Sequence, residues 1–217
     1  MPVLLKIQGL YPIIDTAACM RAGVSPGALA EAVAAAGTTV AQFRHKGPYT
    51  REVLAQAEQI GEILRAGGVR YVINDRADVA LMLKAEGVHL GQEDLPPAQV
   101  RRMIGSSVWI GYSTHNAAQL RAGDLEPVDY LAIGPVFATG SKENPDPVLG
   151  VAALGDLRRL TSKPLVAIGG ITRANAREVL AAGVEAVAVI SDLLGDDLEG
   201  RLEEWLRLTG RSNAPRG

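Results

Sequence analysis

Short apolar runs alternating with helical-period runs, roughly eight of each, and a glycine that recurs at the helix–strand junctions predict an α/β fold, a single-domain (β/α)8 TIM barrel. Continuous apolar strands separated by helices demand a parallel sheet covered on both faces, and eight of them favour closure into a barrel over an open sheet. The junctions Ala36-Gly37, Gly67-Gly68, Glu86-Gly87 and Ala182-Gly183 each end a helix just before a β-branched residue, which is the C-cap chemistry of a repeated unit. No Gly-x-Gly-x-x-Gly follows the first strand, so the signature of a dinucleotide-binding sheet is missing.

The elements follow in order. Leu10 to Ile14 reads as the first strand, closed by Asp15 and Thr16, and a polar connection leads to Ser25-Pro26, an N-cap followed by a proline at the first helical position. Leu29, Ala30, Val33 and Ala34 form that helix's apolar stripe as far as Gly37, and the second strand carries Gln42. Thr50 opens a helix with apolar positions at Val53, Leu54, Ala57, Ile60 and Leu64, and Gly67-Gly68 stops it. Strand Val69–Ile73, helix Ala77–Ala85, strand Val88–Leu90 and a helix from Pro96-Pro97 come next. Val108 to Tyr112 is a strand, Asn116 caps a short helix, and Tyr130 to Ile133 is the sixth strand. A long polar connection through Gly150 follows, with the character of a lid. Helix Val151–Leu160, strand Leu165–Ile168, helix Thr172–Ala182, strand Ala186–Ile190 and helix Leu198–Leu208 complete the pattern. The barrel domain is placed at residues 1–210, with a disordered tail at 211–217.

Composition narrows the function classes. Hydrophobic residues make up 47% and charged residues 21%, the balance of a soluble globular chain. A net charge of −2 supplies no general field for nucleic acid, so any anion must be held by local cations. Cys19 is the only cysteine, which excludes an internal disulfide and suits a reducing compartment. With no secretory signal and no run long enough to span a bilayer, the expected location is cytoplasmic. Nucleic acid and membrane are not expected as partners; a homo-oligomer is compatible with the chain.

The polar residues collect at the strand ends. Gln42, Arg44 and Lys46 share one strand face, a line roughly 13 Å long that suits an extended anion. Asn74 and Asp75 close the third strand, Asp94 follows the fourth, Ser113 the fifth, and Lys142 lies in the connection after the sixth. In a barrel these ends meet at one rim. Asp75 and Asp94 each admit two readings, as helix N-caps or as a carboxylate pair on one cation, which is how Mg2+ is held together with substrate phosphates. Gly169-Gly170-Ile171-Thr172 and Ile190-Ser191 follow strands seven and eight, where barrels commonly bind phosphate through backbone N–H groups. His45 faces away from the cationic line, His89 lies inside an apolar strand, and His115 follows Ser113 on a loop without an acidic partner. Packing or capping accounts for all three.

Taken together, the stretches Gln-Phe-Arg-His-Lys, Asn-Asp-Arg, Gly-Val-His-Leu-Gly-Gln-Glu-Asp, Gly-Tyr-Ser-Thr-His, Gly-Pro-Val-Phe-Ala-Thr-Gly-Ser-Lys, Ile-Gly-Gly-Ile and Val-Ile-Ser resemble the thiamine phosphate synthase family. The resemblance runs from about Leu10 to Leu194. It implies a magnesium-dependent transferase that joins a pyrimidine methyl diphosphate to a thiazole phosphate and releases diphosphate. By resemblance, Gln42, Arg44, Lys46, Asn74, Ser113 and Lys142 hold the pyrimidine diphosphate, with Arg44, Lys46, Ser113 and Lys142 acting in catalysis. Asp75 and Asp94 carry the metal, and Thr139, Ser141, Gly170, Ile190 and Ser191 bind the thiazole phosphate. Ala138 and Ser141 stand where the family often has proline and threonine, and the 143–147 segment is a further departure. Two alternatives share the barrel: a thiazole tautomerase, which needs no diphosphate or metal site, and a barrel that binds phosphorylated ligands without catalysis.

Overall fold

The computed structural model describes residues 7–140 and 146–210. Eight parallel strands close on themselves in chain order: β1 (Gly9–Asp15), β2 (Val40–Arg44), β3 (Arg70–Asn74), β4 (Gly87–Leu90), β5 (Trp109–Thr114), β6 (Tyr130–Ile133), β7 (Leu165–Ala167) and β8 (Ala186–Val189). Pairing of β1 with β8 seals the sheet, with Tyr11 opposite Ala188. The predicted (β/α)8 barrel is therefore the fold. Around it run α1 (Thr16–Arg21), α2 (Pro26–Ala36), α3 (Arg51–Ala66), α4 (Ala77–Met82), α5 (Pro97–Ile104), α6 (Ala117–Leu125), α7 (Val151–Arg158), α8 (Ala176–Ala181) and α9 (Leu198–Leu208). None of the described helices is long and apolar enough to cross a membrane.

Local chemistry explains the boundaries. Ser25, Thr50 and Asn116 accept backbone N–H groups of the first turns of α2, α3 and α6, as the sequence predicts. Gly37 ends α2 in the left-handed conformation at φ 73°. The stretch after Asp15 is not merely a polar connection: Asp15 caps α1, its Oδ1 accepting from the Ala18 N–H at 2.7 Å. Three helices are shorter than predicted, α7 by two residues and α4 and α8 by more. In α4 the chain turns left-handed at Lys84, and before α8 the Asn175 side chain folds back to accept the Thr172 N–H, holding residues 172–175 as a turn.

The core has two layers. Leu10, Ile14, Phe43, Tyr71, Ile73 and Leu131 point outward and pack under the helices, where Trp205 of α9 is fully buried. Tyr11, Val40, Val72, Tyr130, Ala132, Val166, Ala186 and Ala188 point inward and fill the barrel. Strand periodicity continues each inward column toward the C-terminal rim, so Val40 leads to Gln42 and Arg44, and Val72 to Asn74.

Gly111 makes room for two of the inward side chains. A Cβ there would lie 2.1 Å from Tyr130 Cζ and 2.5 Å from His89 Nδ1, inside a closed wall that gives neither ring a place to go. Gly111→Ala is expected to destabilise the fold by roughly 1–3 kcal/mol, read as a lower urea midpoint. Gly155→Ala, in α7 where nothing lies within 4 Å of the added methyl, is the matched control and should be neutral or stabilising. Equal midpoints for the two variants would refute the packing argument.

Candidate active site

The strand C-termini surround a cavity of about 400 Å³. Gln42, Arg44, Lys46, Asn74, Asp75, Ser113, Thr139, Gly170, Ile190 and Ser191 line it, so the rim residues expected from the sequence meet at one place. Asp94 stands next to that wall, joined to Gly91 by a 2.6 Å hydrogen bond from the Gly91 N–H. Ser141 and Lys142 lie outside the described residues, as do the 211–217 tail and most of the 143–147 segment.

Arg44 and Lys46, the rim cations among the described residues, are each seated on a carboxylate. Arg44, the last residue of β2, pairs through Nη1 with Asp15 at the end of neighbouring β1, and both side chains are largely buried. Lys46 lies beyond the end of β2 and donates to Asp75 Oδ2 at 2.5 Å. Asp75 has φ 63°, a left-handed conformation uncommon outside glycine, asparagine and aspartate, held by a 2.8 Å bond from its N–H to the His89 carbonyl. Neither Asp75 nor Asp94 caps a helix: the N-cap positions of α4 and α5 are Arg76 and Pro96, and neither has a side-chain cap.

Instead, the two carboxyls lie close enough to interact. Burial raises the Asp94 carboxyl above its usual range, and the neighbouring Asp75 charge raises it further. Neighbouring carboxylates of this kind fit a divalent cation, which relieves the repulsion. Two carboxyls leave most of an ion's coordination open, which suits one that takes its other oxygens from phosphates and water, as Mg2+ does.

The uncharged wall is more unusual. Gln42, 3% exposed, donates through Nε2 to Tyr11 Oη at 3.2 Å. Tyr11 Oη lies 2.8 Å from Tyr130 Oη, which lies 3.0 Å from His89 Nδ1, and His89 Nε2 lies 2.8 Å from Ser113 Oγ. Asn74, also buried, has an amide Nδ2 with no hydrogen-bond partner, an orphan donor on the cavity wall. Tyr11, His89 and Tyr130 were not legible as site residues, because on strands buried on both faces an inward side chain has the same neighbours in sequence as an outward one.

The histidines need correction. His89 is not packing in an apolar strand but a cavity residue, hydrogen-bonded to Ser113. His115, expected to have no acidic partner, does have one: its buried Nδ1 lies 3.5 Å from Asp146 as well as 2.6 Å from the Gly134 carbonyl oxygen, and the residue also reaches the cavity. His45 does turn away from the cations, onto Thr16 Oγ1 and the edge of Tyr49. Cys19 is a buried free thiol whose pKa is raised to about 11, by burial and then by Asp15.

On the opposite side of the cavity, Gly169 and Gly170 turn with φ 91° and 64°. A Cβ on Gly170 would lie 2.5 Å from the Ala138 carbonyl oxygen, so glycine lets the connection after β6 lie directly against this turn. Ser191 opens a single 3-10 turn, Ser191–Leu193, and Asp192 in that turn accepts from the Arg173 backbone and Nε.

A closed parallel barrel with its cavity at the strand C-termini defines the class, the (β/α)8-barrel enzymes. Comparison with known proteins gives the family. The family model described as thiamine monophosphate synthase matches residues 10–193, and the chain belongs to that family of transferases. The thiamine-phosphate synthase of Koribacter versatilis is 47% identical over 207 residues, covering 94% of this chain and 97% of the relative. That of Chloroflexus aurantiacus is 40% identical over 188 residues, 87% of this chain and 86% of the relative. Among solved structures, thiamine phosphate pyrophosphorylase from Pyrococcus furiosus superposes with a TM-score of 0.83 at 31% identity, covering 94% of this chain and 96% of that one.

The environment of His89 gives a pH dependence with a definite sign. Burial pushes its imidazole from 6.5 down to about 4, Asp94 opposing the shift and Lys46 adding to it. Between those values the unfolded chain takes up a proton that the folded chain resists, so stability falls as pH falls through that window. The residue lines the cavity, which limits the effect to roughly 1–2 kcal/mol. Urea unfolding at pH 7.5 and 5 should show His89→Gln losing less stability than the parent by that amount; identical losses would contradict the assignment.

Proposed function

We infer that this chain condenses 4-amino-2-methyl-5-(diphosphooxymethyl)pyrimidine with 4-methyl-5-(2-phosphooxyethyl)thiazole to give thiamine phosphate and diphosphate. The observation that carries this reading is the group formed by Arg44, Lys46, Asp75 and Asp94 on one rim. A diphosphate and its cation need such a group, whereas a thiazole tautomerase or a passive phosphate-binding barrel does not. Family membership over residues 10–193 supports the same conclusion.

In the proposed mechanism, the bond between the pyrimidine methylene and the diphosphate oxygen breaks, and the thiazole nitrogen forms the new bond to that carbon. Negative charge grows on the departing diphosphate, so cations fixed in advance lower the barrier by interacting more strongly as it grows. Arg44, oriented by Asp15, and Lys46 are assigned this work, with Lys142 as the third cation. Asp75 and Asp94 are assigned to Mg2+, which when bound supplies further charge to neutralise the leaving group. Gln42, Asn74 and Ser113 are assigned to the pyrimidine diphosphate, and Thr139, Ser141, Gly170, Ile190 and Ser191 to the thiazole phosphate. The scheme requires no protein nucleophile. That agrees with His89, whose other ring nitrogen meets the Tyr130 phenol rather than the carboxylate of a triad. Residues 1–210 are taken as the catalytic domain.

Purified protein given both substrates and Mg2+ should form thiamine phosphate and diphosphate in equal amounts, each dependent on the presence of both substrates. A folded protein that makes neither product near neutral pH would sink the proposal. Asp75→Ala should lose at least about a hundredfold in Mg2+-dependent turnover while still binding the thiazole phosphate, since the two sets of residues lie on different strand ends. Parallel loss of both in a folded variant would count against the division of the site.

A further inference from the structure

The hydrogen bonds from Gln42 to Ser113 form an unbroken line across the barrel through Tyr11, Tyr130 and His89. A phenol, a serine hydroxyl and a neutral imidazole can each donate or accept, so the line could in principle run either way. Its Gln42 end breaks the symmetry, because an amide N–H only donates. If Gln42 donates to Tyr11, the Tyr11 hydroxyl hydrogen goes to Tyr130, that of Tyr130 goes to His89 Nδ1, and the His89 Nε2–H goes to Ser113 Oγ. Each hydrogen along the line then has an acceptor. In the reverse direction Tyr11 accepts from both Gln42 and Tyr130, and its own hydrogen is left without an acceptor in a fully buried position, the costly outcome for a polar group.

We propose that Tyr11 and Tyr130 are positioning residues that hold His89 as the Nε2–H tautomer, so that Ser113 accepts from His89 and turns its own hydroxyl hydrogen into the cavity as a donor. The matching ligand feature is an unprotonated ring nitrogen of a heteroaromatic substrate, not an exocyclic amino group, which would present a second donor to the same hydrogen. Burial supports the phenols' part: it lifts Tyr11 to about 12 and Tyr130 well above 10, so both keep their hydrogens at neutral pH. Gly111 belongs to the same device, since only its missing side chain lets Tyr130 reach across to His89. This inference rests on the assignment of Ser113 to the pyrimidine substrate, but its first test needs no turnover.

Uniformly 15N-labelled enzyme without substrate, at neutral pH, is observed by proton–nitrogen correlation of the histidine rings, with His89→Gln to identify the signals. The expected result is a pyridine-like Nδ1 and a protonated Nε2; a protonated Nδ1 overturns the proposal. Tyr130→Phe should then shift His89 toward the Nδ1–H form. It should also raise KM for the pyrimidine diphosphate about five- to tenfold, with kcat and the KM for the thiazole phosphate nearly unchanged. Unchanged tautomer and unchanged KM in the folded variant would likewise overturn it. If Tyr130→Phe does not fold, Tyr11→Phe is read in the same way, and the tautomer of the unmodified enzyme still decides. A correct tautomer in a protein without synthase activity would leave the hydrogen-bond line standing and remove only the proposed function.

Discussion

A closed parallel barrel encloses its own interior, and any polar side chain that points inward must find its partner there. Strand alternation sends every second residue into that space, and the register fixes which residues meet: Gln42 lies opposite Ile13 and Val72, Asn74 opposite His89, and His89 opposite Gly111. The lower part of the interior solves the problem by being apolar, with Val40, Val72, Val166 and Ala186. The upper part solves it with the line from Gln42 to Ser113. Leaving one buried donor unmade costs about 1–3 kcal/mol, so the members of such a line constrain one another more tightly than dispersion contacts alone would. Asn74 is the exception, with its Nδ2 unpartnered on the cavity wall. Of the buried polar atoms left without a partner among the described residues, it is the one on the cavity wall, which fits the role proposed for it of donating to a ligand's acceptor.

Much of the barrel was legible because its punctuation is strong. The N-caps Ser25, Thr50 and Asn116 and the C-cap glycines Gly37 and Gly67 mark boundaries that the structure keeps, whereas Gly87 opens β4 instead of ending α4. Helix α1 was not legible, since six residues give no apolar period and Asp15 reads as readily as the end of a strand. The site divided along chemical lines. Arg44, Asp75 and Asp94 stood out because charge at the end of an apolar run breaks the pattern. Tyr11, His89 and Tyr130 fit the pattern and so stayed hidden: β1 and β6 are buried over nearly all of their length, and sequence alone carries no contrast between their two faces. Asp15 was read as a strand end because its partner is 29 residues away, a relation that only strand register supplies.

Arg44 and Lys46 are paired before any ligand arrives, and the two pairs differ in consequence. Arg44 and Asp15 have side chains 15% and 5% exposed, so removing either would strand a buried charge at a cost of several kcal/mol. That pair fixes the guanidinium in place and leaves its other N–H groups for an anion. Lys46 is 56% exposed, and its ion pair with Asp75 carries little net stability. Its ammonium is therefore free to exchange one oxygen for another as the charge around it changes. One cation is rigid and one is adjustable, which suits an anion whose charge distribution alters during reaction.

The same economy of position governs the other side of the cavity. The connection after β6 is fastened at its root by bonds from the Val136 and Phe137 N–H groups to the Ile168 and Gly169 carbonyls, and where it returns, by bonds from Leu149 and Gly150 to Pro135 and Val136. It lies so close to Gly170 that no side chain fits between them. The glycine turn seats the root of the connection, with Thr139 on the cavity wall, and in the proposed function it would also present backbone to a phosphate. A side chain at Gly170 would move the connection as well as crowd the turn, so the two halves of the proposed thiazole phosphate site are mechanically one unit.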